Sequence, residues 1–300
     1  MDDYLFSYAE RSDPPVKRNL IRLVEKATGQ PTLKRLYLEN QRRPRPKESF
    51  WQAAVRCLAL DVRYDAAALA RLPRAGPVVF VANHPYGVLD GIVIAWLIEK
   101  VRPDFLVLTN AVLLRASEVR DFVLPIDFTE TPGAMATNLK SRATARAHLD
   151  RGGAVVVFPA GGVSTAPDKL GRKPAVDAPW RPFVAQLIQR ARATVAPIYF
   201  GGQNSRLFQI ASHVSLTLRL SLIFREVKNR IGTALPVAIG EPIPFDAIAR
   251  IKDRQTLADH LMAITYALGR IAPGPAVAGK ESRASKLRGK LRNLRRRLAA

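Results

Sequence analysis

The chain contains a single cysteine, Cys57, among 300 residues. No disulfide can close within it, so a reducing compartment is the default, and Cys57 reads as a small core residue rather than a nucleophile. Histidine is almost as scarce. His148, His213 and His260 have no His or Cys partner at metal-ligand spacing, so no metal is expected. Acidic residues are few, 25 Asp and Glu against 47 Lys and Arg, and the net charge of +22 calls for a polyanionic partner. That partner is a nucleic acid, an anionic membrane surface or an acidic carrier protein. No apolar run approaches the roughly 18 residues that cross a bilayer, and the start, Met-Asp-Asp-Tyr, lacks the pattern of a signal peptide. The expected location is therefore cytoplasmic, with any membrane contact peripheral. Aromatic residues make up only 7%, and no helix-turn-helix or zinc pattern is present, so no nucleic-acid partner is expected. A Gly-x-Ser-x-Gly elbow is also missing, which argues against a serine hydrolase.

What is present is an alternation of β-branched runs with helical segments. Residues 1–60 read as helical, best at Val16 to Lys26 and Phe50 to Leu60, with an irregular basic link around Arg42 to Lys47. Strands are predicted at Val62 to Tyr64, Val78 to Ala82, Phe105 to Thr109, Val123 to Ile126, Ala154 to Phe158, Thr194 to Phe200 and Leu235 to Ile239. Helices are predicted from Ile92, over Gly133 to Asp150, over Trp180 to Ala193 and over Phe245 to Ile271. This order implies an α/β domain with a mostly parallel central sheet covered by helices on both faces. The domain runs over 61–272. It is followed at 273–300 by a basic tail in which Leu287, Leu291, Leu294 and Leu298 form one stripe. Such a tail suits an amphipathic helix on an anionic lipid surface or a disordered polybasic end.

Three stretches each follow a predicted strand. In Asn83-His84-Pro85-Tyr86-Gly87-Val88-Leu89-Asp90, His84 and Asp90 would sit about 240° apart around one continuous helix and could not meet. Pro85 and Gly87 supply the turn that brings them together. A His held by a carboxylate at the carboxyl end of a strand can take a proton from a hydroxyl. A His that merely caps the helix fits the same residues. Phe158-Pro159-Ala160-Gly161-Gly162-Val163-Ser164 places two glycines where backbone N–H groups could bind an anion or a developing oxyanion, or simply turn the chain. The third stretch, ending Asn204-Ser205-Arg206, could complete the same cleft or form a surface turn.

Taken together in this order, the three motifs resemble the lysophospholipid and glycerolipid acyltransferase superfamily over about residues 60 to 245. The likeness is greatest to its bacterial haemolysin-like branch, related to the acyltransferase domains of ornithine-lipid synthesis. The resemblance implies the glycerolipid acyltransferase-like fold and transfer of a fatty acyl group to a lysolipid hydroxyl, with no metal, cofactor or covalent acyl-enzyme. His84 and Asp90 match its catalytic pair, with five intervening residues, as in that branch. Asn83, Pro85, Gly87, Phe158, Pro159, Ala160, Gly161, Gly162, Ser164, Asn204 and Arg206 are then expected to line the substrate site. Acyl carrier protein or coenzyme A would bring the acyl group as a thioester. A lysolipid would accept it, and the inner face of the membrane, anionic and cytoplasmic, would be the workplace. Ala160 and Val163 stand where the family motif carries Glu and Arg, and no Arg lies near Leu124 to Phe128. These departures point away from glycerol 3-phosphate and lysophosphatidate, whose dianionic phosphate calls for a charged clamp.

Overall fold

In the computed structural model, residues 7, 14–110, 116–127 and 131–270 are described. Seven strands make one sheet: β1 (Asp61–Arg63), β2 (Val78–Ala82), β3 (Phe105–Asn110), β4 (Val123–Ile126), β5 (Ala154–Val157), β6 (Thr194–Phe200) and β7 (Ala234–Ile239). Their spatial order is β1-β7-β6-β2-β5-β3-β4. The five strands from β6 to β4 are mutually parallel, whereas β7 runs antiparallel to β6 and parallel to β1. The sheet is thus mostly parallel, with β2 at its centre.

The period of two along β2 divides the core. Val78, Phe80 and Ala82 join a cluster beneath α3 (Phe50–Cys57), α4 (Ala66–Ala70) and α5 (Val88–Ile98). Val79 and Val81 face the other way, against α6 (Pro132–Asp150), α7 (Phe183–Ala191) and α12 (Arg254–Leu268). All five residues of β2 are buried, because helices cover both faces. Leu33 of α2 (Gln30–Arg42) and Trp51 and Val55 of α3 belong to the first of these clusters. At Gly29, between α1 (Pro15–Thr28) and α2, a Cβ would come 2.1 Å from the Phe224 carbonyl oxygen. Only glycine allows the N-terminal pair this close to α10 (Ile223–Arg230).

The opposite end of the sheet is tied by Arg102, which is 2% exposed. Its guanidinium meets both carboxylate oxygens of Asp104 at 2.8 Å and donates to the carbonyls of Gly76 (2.9 Å) and Gly152 (2.7 Å). Three loops that enter neighbouring strands are gathered on one side chain.

Two expectations are corrected. The helix foreseen over Phe245 to Ile271 is broken into α11 (Phe245–Ile248) and α12, because Asp253 accepts from the Thr256 N–H at 2.7 Å and caps a new start. Arg206 to Arg230, to which no element is assigned from the sequence, holds α8 (Arg206–Val214), α9 (Leu216–Ser221) and α10. All three are short, nine, six and eight residues, although α8 and α10 do carry apolar residues at helical spacing. The tail at 273–300 lies outside the described residues.

Candidate active site

The β2–α5 turn is held from several sides. Beyond the last residue of β2, the side chain of Asn83 accepts from the Phe200 N–H at 2.7 Å and donates to its carbonyl at 2.9 Å. It thereby pins β2 to β6 past the end of the ladder, so Asn83 positions the strand ends. Gly87 adopts φ 77°, which a side chain would strain, and caps α5. Asp90, in the first turn of α5, accepts the N–H groups of Tyr86 (2.8 Å) and Gly87 (2.9 Å) on Oδ2. A carboxylate at this helix position also meets the positive end of the helix dipole.

The turn does bring the His and the Asp together: His84 Nδ1 lies 3.0 Å from the same Oδ2. The approach is off the axis of a linear hydrogen bond, and Nδ1 has no better partner. Asp90 is fully buried, and its Oδ1 has no hydrogen-bond partner among the described residues. Burial pushes its carboxyl up from the usual range, against the lowering pull of His84 and of the two backbone amides. The imidazole rests on the Phe158 ring, centroids 4.2 Å apart, and stays partly open at 18% side-chain exposure. With Nδ1 turned to Asp90, Nε2 is the nitrogen left for a substrate proton.

The glycine loop reaches the same place. The Ser164 N–H donates to the His84 carbonyl at 2.8 Å. Gly161, at φ 71°, closes a turn by donating its own N–H to the Phe158 carbonyl at 3.0 Å. After Pro159, the loop N–H groups that bond to no other described residue are those of Ala160, Gly162 and Val163, and of these Gly162 is the exposed one. Ala160 is buried in the second cluster, and Pro159 accepts the Arg181 N–H at 3.1 Å. Pro85 is buried within its turn.

A carboxylate that the sequence reading did not single out organises this corner. Asp177, 4% exposed, accepts from the His84 N–H (3.2 Å) and the Ser164 hydroxyl (2.5 Å) on Oδ1, and from Trp180 Nε1 (2.9 Å) on Oδ2. Its own N–H donates to the Tyr266 hydroxyl at 2.8 Å. Burial, followed by the charge of Asp177, raises the Tyr266 phenol. Asp177 lies in an irregular segment before α7, and nothing in the local pattern marks it. The Ser164 hydroxyl is consequently occupied within the protein.

The third stretch divides. Asn204 is 2% exposed, and neither end of its side-chain amide has a partner among the described residues. Among the described residues, six buried side-chain polar atoms lack a hydrogen-bond partner and four of them belong to His84, Asp90 and Asn204; those of Asp90 and Asn204 mark places where a ligand or water would complete the bonding. Arg206 is exposed and donates to the Leu170 carbonyl at 2.8 Å, tying down a surface loop. Tyr86 reaches the Gly201 carbonyl at 2.8 Å beneath the Arg230 guanidinium. Burial raises the Tyr86 phenol, partly opposed by Arg230.

Behind α5 lies a cavity of about 360 Å³. Leu33, Ala53, Leu58, Val88, Ile92 and Val227 give it a largely apolar wall.

Several known proteins are similar to this chain. The sequence profile of the family described as "Acyltransferase" matches residues 34–251. The lyso-glycine lipid O-acyltransferase of Bacteroides thetaiotaomicron is 28% identical over 218 residues, covering 70% of this chain and 76% of that protein. The protein of the same name from Phocaeicola vulgatus is 26% identical, covering 70% and 74%. Among solved structures, the 1-acyl-sn-glycerophosphate (LPA) acyltransferase PlsC from Thermotoga maritima superposes with a TM-score of 0.49 at 13% identity, over 93% of this chain and 89% of that one. With the profile spanning more than half of its residues, this chain belongs to the acyltransferase family.

Proposed function

We propose that the protein transfers a fatty acyl group from an acyl thioester to the hydroxyl of a lyso amino-acid lipid of the glycine or ornithine type. His84 Nε2 takes the proton of the acceptor hydroxyl, whose oxygen attacks the thioester carbonyl. The C–S bond breaks as the new C–O bond forms, and His84 returns the proton to the departing thiolate. Asp90 holds the ring by Nδ1 and stabilises the imidazolium. The N–H groups of Gly162 and Val163 serve the oxyanion. Acyl carrier protein or coenzyme A supplies the thioester, either of them an acidic partner for a chain of net charge +22. The apolar cavity behind α5 suits the acyl chain.

The observation that carries this reading is the His84 ring held between Asp90 and Phe158, beside a loop whose N–H groups at Gly162 and Val163 bond to no other described residue. The acceptor class comes from the names of the two relatives, and the missing arginines of the family motif agree with it. A glycine joined to a fatty chain through its nitrogen carries no phosphate, so no dianion clamp is needed.

No helix among the described residues is long and apolar enough to cross a membrane. We place the enzyme on the cytoplasmic face of an anionic membrane. In support, α1 presents Val16, Leu20 and Leu23, at 82%, 52% and 66% exposure, along one face. Val214 and Leu216 are exposed at 71% and 67% where α8 meets α9, which packs on α1.

The test is purified enzyme with a radiolabelled acyl thioester and N-(3-hydroxyacyl)glycine. His84→Ala should cut turnover by about 10²- to 10⁴-fold while the protein stays folded. Undiminished transfer by the folded variant would remove the mechanism.

A further inference from the structure

Arg219 is a half-buried guanidinium beside the glycine loop that takes no part in the steps proposed above. It projects from α9 toward the glycine loop, donates through Nη2 to the Val163 carbonyl and stands 5.6 Å from the Phe208 ring centroid. A Cβ on Gly162 would lie 3.9 Å from the same Nη2, so the guanidinium flanks the exposed, side-chain-free part of the loop. No carboxylate pairs with Arg219 among the described residues. Its neighbours are already engaged: Arg225 with Glu226, Arg230 with the Gln203 carbonyl, and Arg206 with Leu170.

A guanidinium carries five donors, and this one uses a single bond to a neutral carbonyl. Burial without a counter-charge is costly, and here it lowers the Arg219 pKa from the ordinary arginine value. An arriving oxyanion would relieve that cost. The loop it would meet also holds the base, since Ser164, next to Val163, donates its N–H to the His84 carbonyl at 2.8 Å.

We propose that Arg219, beside the open N–H groups of Gly162 and Val163, binds the carboxylate of the lipid acceptor and so selects amino-acid lipids as substrates. This rests on the acceptor class proposed above. A planar, two-pronged fork matches a single carboxylate.

The experiment compares wild type, Arg219→Gln and Arg219→Lys on N-(3-hydroxyacyl)glycine, its methyl ester and lysophosphatidate, with thermal melts to establish folding. Wild type should use the acid about 10- to 100-fold better than the ester, the range for a hydrogen bond to a charged group. Arg219→Gln should raise KM for the acid by a similar factor and affect the uncharged ester far less, so that the preference for the acid is erased. Arg219→Lys should fall between, keeping charge but losing the fork. Should Arg219→Gln raise only the donor KM, Arg219 binds a phosphate of the donor and the assignment is overturned. Equal use of acid and ester by wild type, or a preference that survives in Arg219→Gln, overturns it as well. If wild type acylates lysophosphatidate and not the glycine acceptor, the acceptor class itself has failed, and with it the carboxylate assignment. Loss of activity with the glycine acceptor retained by wild type concerns Arg219 alone.

Discussion

Asp177 accepts the backbone N–H of His84 at 3.2 Å across 93 positions of sequence. The same oxygen takes the Ser164 hydroxyl, so the His loop and the glycine loop are registered to each other through one buried carboxylate. The relative placement of His84 and the glycine loop therefore depends on a carboxylate that belongs to neither.

Removing that carboxylate should loosen both loops. Asp177→Ala should lower stability by about 2–4 kcal/mol, because the His84, Ser164 and Trp180 donors lose their acceptor together. Ser164→Ala should cost about 1–2 kcal/mol. Urea unfolding of both and of the double variant checks this. The two losses should combine to less than their sum, since they share a bond.

Asp90→Asn separates chemistry from folding. The amide oxygen can keep the Tyr86 and Gly87 N–H bonds, and the NH₂ takes the place of Oδ1, which has no partner now. With a buried charge removed, stability should change by less than about 1 kcal/mol. Without its negative partner the imidazolium is unsupported, and kcat should fall by about 10²- to 10⁴-fold. Steady-state kinetics beside a melting curve distinguishes the two effects.

Gly202→Ala should damage the site from a distance. At φ 105°, an added Cβ would lie 1.9 Å from Tyr86 Oη, and Tyr86 holds Asp90 by its N–H. A loss of about 2 kcal/mol or more is expected, with reduced turnover. Gly91→Ala is the control: in α5, with nothing within 4 Å of its Cβ, it should be neutral or stabilising by up to about 1 kcal/mol.

Asp104 gives the fold a pH dependence away from the site. Arg102 holds its carboxyl below the usual range, chiefly by hydrogen bonding. A lowered folded value means the stabilisation is complete above the unfolded carboxylate pKa of about 3.9 and is lost as pH falls through the folded one. The stability gap between wild type and Asp104→Asn should be constant from about pH 5 to 7 and close on acidification. Arg102→Met should cost about 2–3 kcal/mol at neutral pH, less than a fully buried pair because Asp104 is 43% exposed. Urea titrations at several pH values test both.

By itself the sequence determined the sheet and its centre. Buried parallel strands carry a continuous apolar run that ends at a turn, so Val78 to Ala82 and the stop at Asn83-His84-Pro85 could be read directly, as could the turn joining His84 to Asp90. Period and turn chemistry act over a few neighbouring residues, and that is the range of the information they hold. The roles of Asp177 and Arg219 were decided only by the tertiary structure. Their meaning lies in contacts across tens of residues, where a lone Asp in a loop or a lone Arg on a six-residue helix has no local pattern to betray it. The same holds for Arg206 and Ser164, present in the motifs yet engaged by the protein's own carbonyl and carboxylate, because hydrogen bonds are settled by the direction of a side chain, which sequence order does not encode.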